Sequence, residues 1–476
     1  MLGWLVLAVA ASAARAAPPP VTVPTDTSAL GEQAGEGGFG FLENLERSSF
    51  LLGDMWGLRT ALSRYGLSLG LLETSEVLGN PTGGIRKGAE YDGLTQAVLQ
   101  MDTQRAFGWY GGLLNASALQ NHGRDLTGDN LDALQTASSI AADRATRLWE
   151  LWYQQKLLVE DRLDIRLGQQ SLDQEFMLNP SAQLFINSAF GWSTLSATDL
   201  PGGGPVAPLS ALGVRVRARP LNPFTILAGV FNGSPVVGNP ADPQRANPSG
   251  IGFPVDGRIL AIAELQYSYP ALGDYVYPNQ SEVLAHIYRV GLWYDSERFA
   301  DQRFDTAGLS LANPASSGNP LTHRGDIAAY AAADQMVWIY DKDNNRNVSV
   351  FGRFTGTPYE DRNLIDLSAN AGFILRQPLA YRNDDTFGIG AGWVHISRQA
   401  AGLDRDTAAF TGMFSPVRNS ETYVEATYLY QALAWWQVQP DLQYLFSPGG
   451  GIANPADPGK RAGNAVVFGL RTNILF

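Results

Sequence analysis

The sequence predicts an all-β protein: a transmembrane antiparallel β-barrel of about 16 strands around a water-filled lumen. Three observations predict it. Segments of strand character recur along most of the chain, punctuated by Gly, Pro, Asn and Asp. Within many of them, one face is apolar and the other carries charge or amide groups. The last segment, "NAVVFGLRTNILF", shows the same alternation and reaches Phe476 with an apolar set of Val466, Phe468, Leu470, Ile474 and Phe476 around Thr472. A soluble sheet would bury such a face against a second layer, whereas a membrane barrel turns it to lipid.

The elements follow in order. "MLGWLVLAVAASAARAAPPP" has an apolar core of signal-peptide length, with small residues around Ala14, Arg15 and Ala16 before a run of prolines. Cleavage is expected after Ala16, giving a signal peptide over 1–16. Residues 17–50 are rich in Pro, Gly, Thr and Glu, and are expected to form a flexible periplasmic extension. The barrel domain is expected over 51–476. It opens with "LLGDMWGLRTALSRYGLSLG", a short helix carrying Trp56, Leu58 and Leu62 that Gly66 ends.

Strands are expected at 67–78, 93–104, 112–121, 147–157, 162–170, 212–219, 224–232 and 258–267, then at 284–294, 334–340, 348–357, 367–375, 387–397, 421–430, 436–446 and 465–476. Each has about the length needed to cross a bilayer at a tilt. Long connections at 171–211, 233–257 and 297–333 alternate loosely with short ones. Tight periplasmic turns and long outer loops give that asymmetry. Aromatic residues crowd strand ends, as at Tyr288 and Tyr294, Trp338 and Tyr340, and Trp435 and Trp436. Rings with a polar edge favour the membrane interface.

Composition removes several classes of function. Cysteine is absent, so disulfides and thiolate chemistry are excluded. The formal net charge is −12, which argues against nucleic acid as a partner. Of 34 basic residues only four are lysine, leaving 34 − 4 = 30 arginines. No stretch offers 18 uninterrupted apolar residues, and the mean hydropathy is −0.11, as expected when each strand averages a lipid face with a polar one. The four histidines (His122, His286, His323 and His395) are scattered, without metal spacing or a nucleophile–base pattern. Catalytic residues, metals and cofactors are therefore not expected.

Alternation points to a set of lumen residues. Arg215, Arg217 and Arg219 form a basic row in "LGVRVRARP", opposite Val214, Val216 and Ala218. Asp164 and Arg166 share a face in "RLDIRLGQQ", and Glu150 and Trp152 share one in "LWELWYQQKL", where Trp149, Leu151 and Tyr153 take the other. Glu264, Arg289, Trp293, Arg353, Glu425 and Arg471 also fall on polar faces. Arginine offers a fork of donors and a stacking face, and carboxylates accept from hydroxyls. These residues are candidates to line a pore, where opposed charges also stiffen the wall.

"SLDQEFMLNPSAQLFINSAFGWSTL" opens a long connection yet holds Phe176, Phe185, Phe190 and Trp192. Exposed loops seldom carry so many large apolar groups. An inward fold would place Asp173, Glu175, Asn187 and Trp192 near a constriction; an outer loop packed on its neighbours is the alternative.

Many stretches along the chain resemble one family. They include "LLGDMWGLRTALSRYGLSL", "GAEYDGLTQAVLQMD", "WYGGLLNASALQNHGR", "RLWELWYQQ", "LDIRLGQQSLDQEFM", "FINSAFGW", "AGVFNGSP", "YRVGLWYDSERF", "VFGRFTGTPYEDRN" and "WWQVQPDLQYLFSPGG". From about Leu51 to Phe476 the chain resembles the carbohydrate-selective porins of the OprB type. The resemblance implies a 16-stranded barrel in the outer membrane of a Gram-negative bacterium. It implies outer-membrane lipid around that barrel, and passive diffusion of mono- or small oligosaccharides, glucose among them, through it. It also implies that Phe476 is recognised by the barrel-assembly machinery. A pore for an anion or phosphate, a secreted β-sheet lectin and a barrel enzyme are the alternatives. Monomer and trimer both stay open, because no stretch singles out a lipid-face patch for pairing.

Overall fold

The computed structural model describes residues 48–238, 240–270, 284–341, 346–382 and 384–476. The expected signal peptide at 1–16 and nearly all of the expected extension lie outside the described residues. The strands are β1 Leu67–Gly84, β2 Gly88–Asp102, β3 Gly112–Gly123, β4 Ala145–Leu157, β5 Leu163–Gln170, β6 Ala211–Leu221, β7 Phe224–Asn232, β8 Ile259–Tyr269 and β9 His286–Asp305. They continue with β10 Pro320–Asp341, β11 Arg346–Gly356, β12 Ile365–Arg376, β13 Thr386–Ile396, β14 Ser420–Leu433, β15 Trp436–Phe446, β16 Ala453–Asn454, β17 Asp457–Arg461 and β18 Gly463–Leu475. Sixteen of them, all but β16 and β17, close into one barrel, with β18 pairing antiparallel to both β15 and β1. Closure leaves no edge, which is the condition for a sheet to sit in hydrocarbon.

Each strand has a lipid face and a lumen face. On β8, Ile259, Leu265, Tyr267 and Tyr269 are exposed, whereas Leu260, Ile262, Glu264, Gln266 and Ser268 are buried inside. On β18, Phe468 and Leu470 point out while Ala465, Val467 and Arg471 point in. The connections differ by rim. One rim carries long segments, among them 124–144, 171–210, 233–258 and 397–419. The other carries turns such as 158–162, 222–223 and 434–435.

Two expectations need correction. The stretch 297–333 is not one long connection, because β9 runs on to Asp305 and β10 begins at Pro320. This extension is rich in charge, with Glu297, Arg298, Asp301 and Arg303, so apolar alternation does not mark it. Trp149 does not share the lipid face of Leu151 and Tyr153. A bulge between the Ser117 and Ala118 pairings turns it inward, where it packs in a cluster with Leu94, Leu119, Ile140 and Ala207.

Loops from the long-loop rim reach deep into the interior. Gly388, Gly390 and Gly392 of β13 form a track without side chains. A Cβ on Gly390 would come within 2.5 Å of Phe190, and one on Gly388 within 2.9 Å of Phe185. Phe185, Phe190, Phe351 and Tyr423 interlock over this track, with Phe185 and Phe190 stacked at 4.2 Å. Glycine is needed here for close approach of a loop.

At the opposite rim, the short helix Leu58–Ser63 and the residues before it guard the β1–β18 seam. Leu51 N–H donates to Leu475 O at 2.8 Å, and Arg59 donates to the terminal oxygen of Phe476 and to Gly53 O at 3.2 Å. The Arg59 guanidinium also lies 4.2 Å above the Phe50 ring. Arg59→Ala is expected to destabilise the barrel by about 1.5–3 kcal/mol, the worth of charged hydrogen bonds. The measurement is the temperature at which the folded form converts to the unfolded band in a gel-shift melt; an unchanged midpoint would show that the seam does not depend on it.

Candidate pore constriction

Loop 171–210 folds into the lumen. A loop inside a barrel has backbone groups without ladder partners, and burial makes each one costly unless something answers it. The wall answers them. Arg353 of β11 donates to Met177 O at 3.0 Å, Ala189 O at 2.7 Å and Gly191 O. Asn370 of β12 donates to Ala189 O at 2.6 Å. Arg289 of β9 donates to Leu178 O and lies 3.4 Å from Glu264 of β8, whose carboxylate accepts Met177 N–H at 2.8 Å. Asp334 of β10 accepts from Ser181 N–H, and Glu425 of β14 from the N–H groups of Ile186 and Asn187. Five strand positions with charge thus staple one loop across the barrel.

A second loop, 124–144, is held the same way. Glu421 accepts from the N–H groups of Leu134 and Gln135. Glu76 accepts from Ser138 Oγ, and Arg471 pairs with Glu76 at 2.7 Å and donates to Ser139 Oγ at 2.8 Å. The two loops touch where Ser188 N–H donates to Thr136 O at 2.9 Å. Sequence reasoning missed this second plug. Its signal was a weaker form of the first: Leu126, Leu131, Leu134 and Ile140 in a connection otherwise made of small and polar residues.

Opposite the stapled side, β4, β5 and β6 carry an ionic cluster. Register sets it: Asp164 pairs with Arg217, Arg166 with Arg215 and Gln154 with Arg166, all facing inward. Two guanidinium groups directly across from each other repel unless an anion intervenes. Glu175, from the inward loop, supplies it: Arg166 Nη2 lies 3.2 Å from Glu175 Oε1, and Arg215 Nη2 donates to the same oxygen at 2.8 Å. Arg217 Nε donates to Asp164 Oδ2 at 2.6 Å, and Arg215 pairs with the other Asp164 oxygen. Arg166 also donates to Gln154 and stacks 3.9 Å above the Trp152 ring. Side-chain exposure grades the cluster: 1% for Arg215 and Asp164, 13% for Arg166, 18% for Glu175 and 36% for Arg217.

The other sequence candidates lie elsewhere. Arg219 leaves the basic row, because β6 becomes irregular after Ala218, and it donates to the carbonyls of Glu160 and Asp161 in the β4–β5 turn. Glu150 accepts from Ser171 N–H at 3.0 Å where the inward loop departs. Trp192 and Trp293 are buried in the main apolar cluster, with Trp293 Nε1 donating to Ser196 Oγ. Arg289, Arg353 and Glu425 are consumed by loop backbone, as described above. Asn187 accepts Ala189 N–H and donates to Gln443. Asp173 ties the ends of the loop, accepting from Ser171 Oγ at 2.5 Å and Ala207 N–H at 3.2 Å. Burial pushes its carboxyl up from 3.8 to about 6.

The family model described as carbohydrate-selective porin, OprB family, matches residues 86–476. The chain belongs to the OprB family. Porin B of Pseudomonas aeruginosa is 24% identical over 451 residues, covering 90% of this chain and 92% of that protein. A high-pH structure of Pseudomonas putida OprB superposes with a TM-score of 0.77 at 24% identity, covering 91% of this chain and all of that one. Its low-pH structure gives 0.53 at 17% identity, over 90% and 99%. These neighbours share the fold. As an OprB-family porin, the chain is an outer-membrane protein of a Gram-negative bacterium. The rim of long loops is then the outer one, by the rule for bacterial barrels.

Two outcomes follow. Arg353→Ala removes the donors to three loop carbonyls and is expected to loosen loop 171–210; single-channel recording should show a higher conductance with more open-state noise, and an unchanged conductance would refute the clamp. Asp173 is protonated more readily in the fold than in the unfolded chain, so stability falls as pH rises from about 4 to about 6 and is level above. Asp173→Asn should flatten that slope in melts taken across the window.

Proposed function

We propose that this porin passes neutral monosaccharides and small oligosaccharides of the glucose type by passive diffusion into the periplasm. The observation that carries the reading is the partly exposed Arg166–Glu175–Arg217 cluster beside the Trp152 ring, at the foot of an inward loop. Three arginines (166, 215, 217) meet two carboxylates (Asp164, Glu175), so the cluster carries 3 − 2 = +1 rather than a bare basic row. Paired guanidinium and carboxylate groups present donors and acceptors together, which suits hydroxyls. An anion or phosphate pore would leave its arginines unpaired. Binding of this kind is weak and multi-site, as conduction requires.

The rest of the assignment follows from the same reading. Residues 1–16 direct export, 17–50 extend into the periplasm and 51–476 form the porin. Phe476 addresses the chain to the barrel-assembly machinery. Glu175→Gln, which keeps shape and removes the anion between Arg166 and Arg215, is expected to shift the pore toward anions. In planar bilayers, glucose block of ion current should weaken roughly tenfold while phosphate block strengthens, for a loss of about 1.4 kcal/mol. Glucose and phosphate blocking the native channel equally would defeat the sugar assignment.

A further inference from the structure

Strands β9 and β10 bring two carboxylates face to face on the inner wall. By register Asp295 of β9 pairs with Asp326 of β10, and the same face continues through Trp293 and Ala328, both in the main apolar cluster. Both acids are fully buried. The position is toward the outer rim. Asp295 also pairs with Leu260, near the start of β8, and a Cβ on Gly233 of the long 233–258 loop would come within 3.1 Å of Asp295 Oδ1. Like charges directly opposite each other in a ladder are destabilising, and burial raises that cost.

Only one oxygen of each carboxylate is answered. Asp295 Oδ1 accepts Glu297 N–H at 2.8 Å, and Asp326 Oδ1 accepts Ile327 N–H at 2.9 Å and Asn363 Nδ2 at 3.1 Å. Asp295 Oδ2 and Asp326 Oδ2 are buried and have no donor among the described residues. A third oxygen shares that condition. Asn363, fully buried in the segment 357–364 that joins β11 to β12, has no partner for Oδ1 among the described residues. Turning its amide over would not help. Nδ2 donates to Asp326 Oδ1 and to Tyr359 O at 2.8 Å, and a carbonyl in its place would face two acceptors. The neighbouring arginines are engaged elsewhere. Arg362 donates to Asp361 and to Gly325 O, and Arg258 pairs with Glu297 at 2.6 Å.

We propose that Asp295, Asp326 and Asn363 bind a divalent cation of the Ca2+ type through these three oxygens. Hard cations take carboxylate and amide oxygens, and Ca2+ takes about six to eight, so water completes the shell. Among the described residues no group of three or more His, Cys, Asp or Glu side chains is placed to hold a metal, so the amide serves as the third ligand. Two charged ligands suit the affinity of extracellular calcium modules, about 0.1–1 mM. The ion also ties separate parts of the wall together. Asn363 runs directly into Leu364 and Ile365, whose N–H groups donate to Asp199 of the inward loop at 2.7 and 3.2 Å. One cation thus joins β9, β10 and the segment that holds the far end of that loop. The site does not depend on which solute the pore passes.

The test uses the folded porin stripped with EDTA and then supplied with CaCl2 at fixed ionic strength. Equilibrium dialysis with radioactive Ca2+ counts bound ions, and gel-shift melts read stability. One Ca2+ per chain is expected, with a melt midpoint that rises over the millimolar range. Asp326→Asn should weaken binding about tenfold. Asp295→Asn combined with Asp326→Asn should abolish it, melt in EDTA no lower than the native chain because the repulsion is gone, and ignore Ca2+. Glu160→Gln, an exposed acid in the β4–β5 turn, should bind as the native chain does. Ca2+ carried by residual lipopolysaccharide would appear equally in the double variant. The proposal is overturned if the double variant binds as much Ca2+ as the native chain, or if the native chain binds none in the millimolar range, in which case the two acids share a proton instead. Dialysis of the native chain decides this even where a variant does not fold.

Discussion

Hydrocarbon gives a peptide group nothing to hydrogen-bond, and that deficit shapes this molecule from its ladder inward. Every strand must be paired on both sides, so β18 returns to β1 and the sheet has no edge. Closure at sixteen strands leaves an interior too wide for side chains alone to fill. The chain fills part of it with its own loops. Those loops bring unpaired backbone groups, and the wall must answer them. The demand for polar pairing, met by neighbours on the outside, reappears on the inside as a demand for side chains that can serve loop backbone.

That demand divides the charged residues of the lumen into two populations. Arg353, Arg289, Asp334, Glu264 and Glu425 point at loop N–H and C=O groups and are buried by them. Arg166, Arg217 and Glu175 lie where the loop begins, and keep some exposure because no loop backbone covers them. Both sets sit on inward strand positions or beside them and are alike in chemistry. Their neighbours alone set them apart. The glycine track on β13 works together with the first population. It makes room for Phe185 and Phe190, so aromatic packing adds to the staples what hydrogen bonds alone would leave loose.

Pairing also explains how a porin rich in arginine can suit neutral solutes. Thirty arginines would draw anions if they stood bare, yet those of the β4–β6 wall are matched in register or by the incoming loop. What remains is a set of fixed dipoles and donor–acceptor pairs beside an indole face. A hydroxylated ring exchanges water for such groups at little net cost, and leaves as readily.

The strand count, the alternation of lipid and lumen faces and the inward row of Arg215 and Arg217 were legible in the sequence, because a period of two in side-chain polarity follows from the pleat itself. The long aromatic connection carried rings that water would reject, which marked it as packed but left an inward fold and an outer loop both open. The sequence could not reveal that Trp149 turns inward, since one bulge shifts the register without any compositional mark. Nor could it reveal that Arg353 clamps carbonyls more than 160 residues away in the chain, or that Glu175 comes to rest between two arginines that face each other. Those facts depend on which strands become neighbours and where a loop lands. Local periodicity determines which way a side chain points; only the closed tertiary structure decides what it finds there.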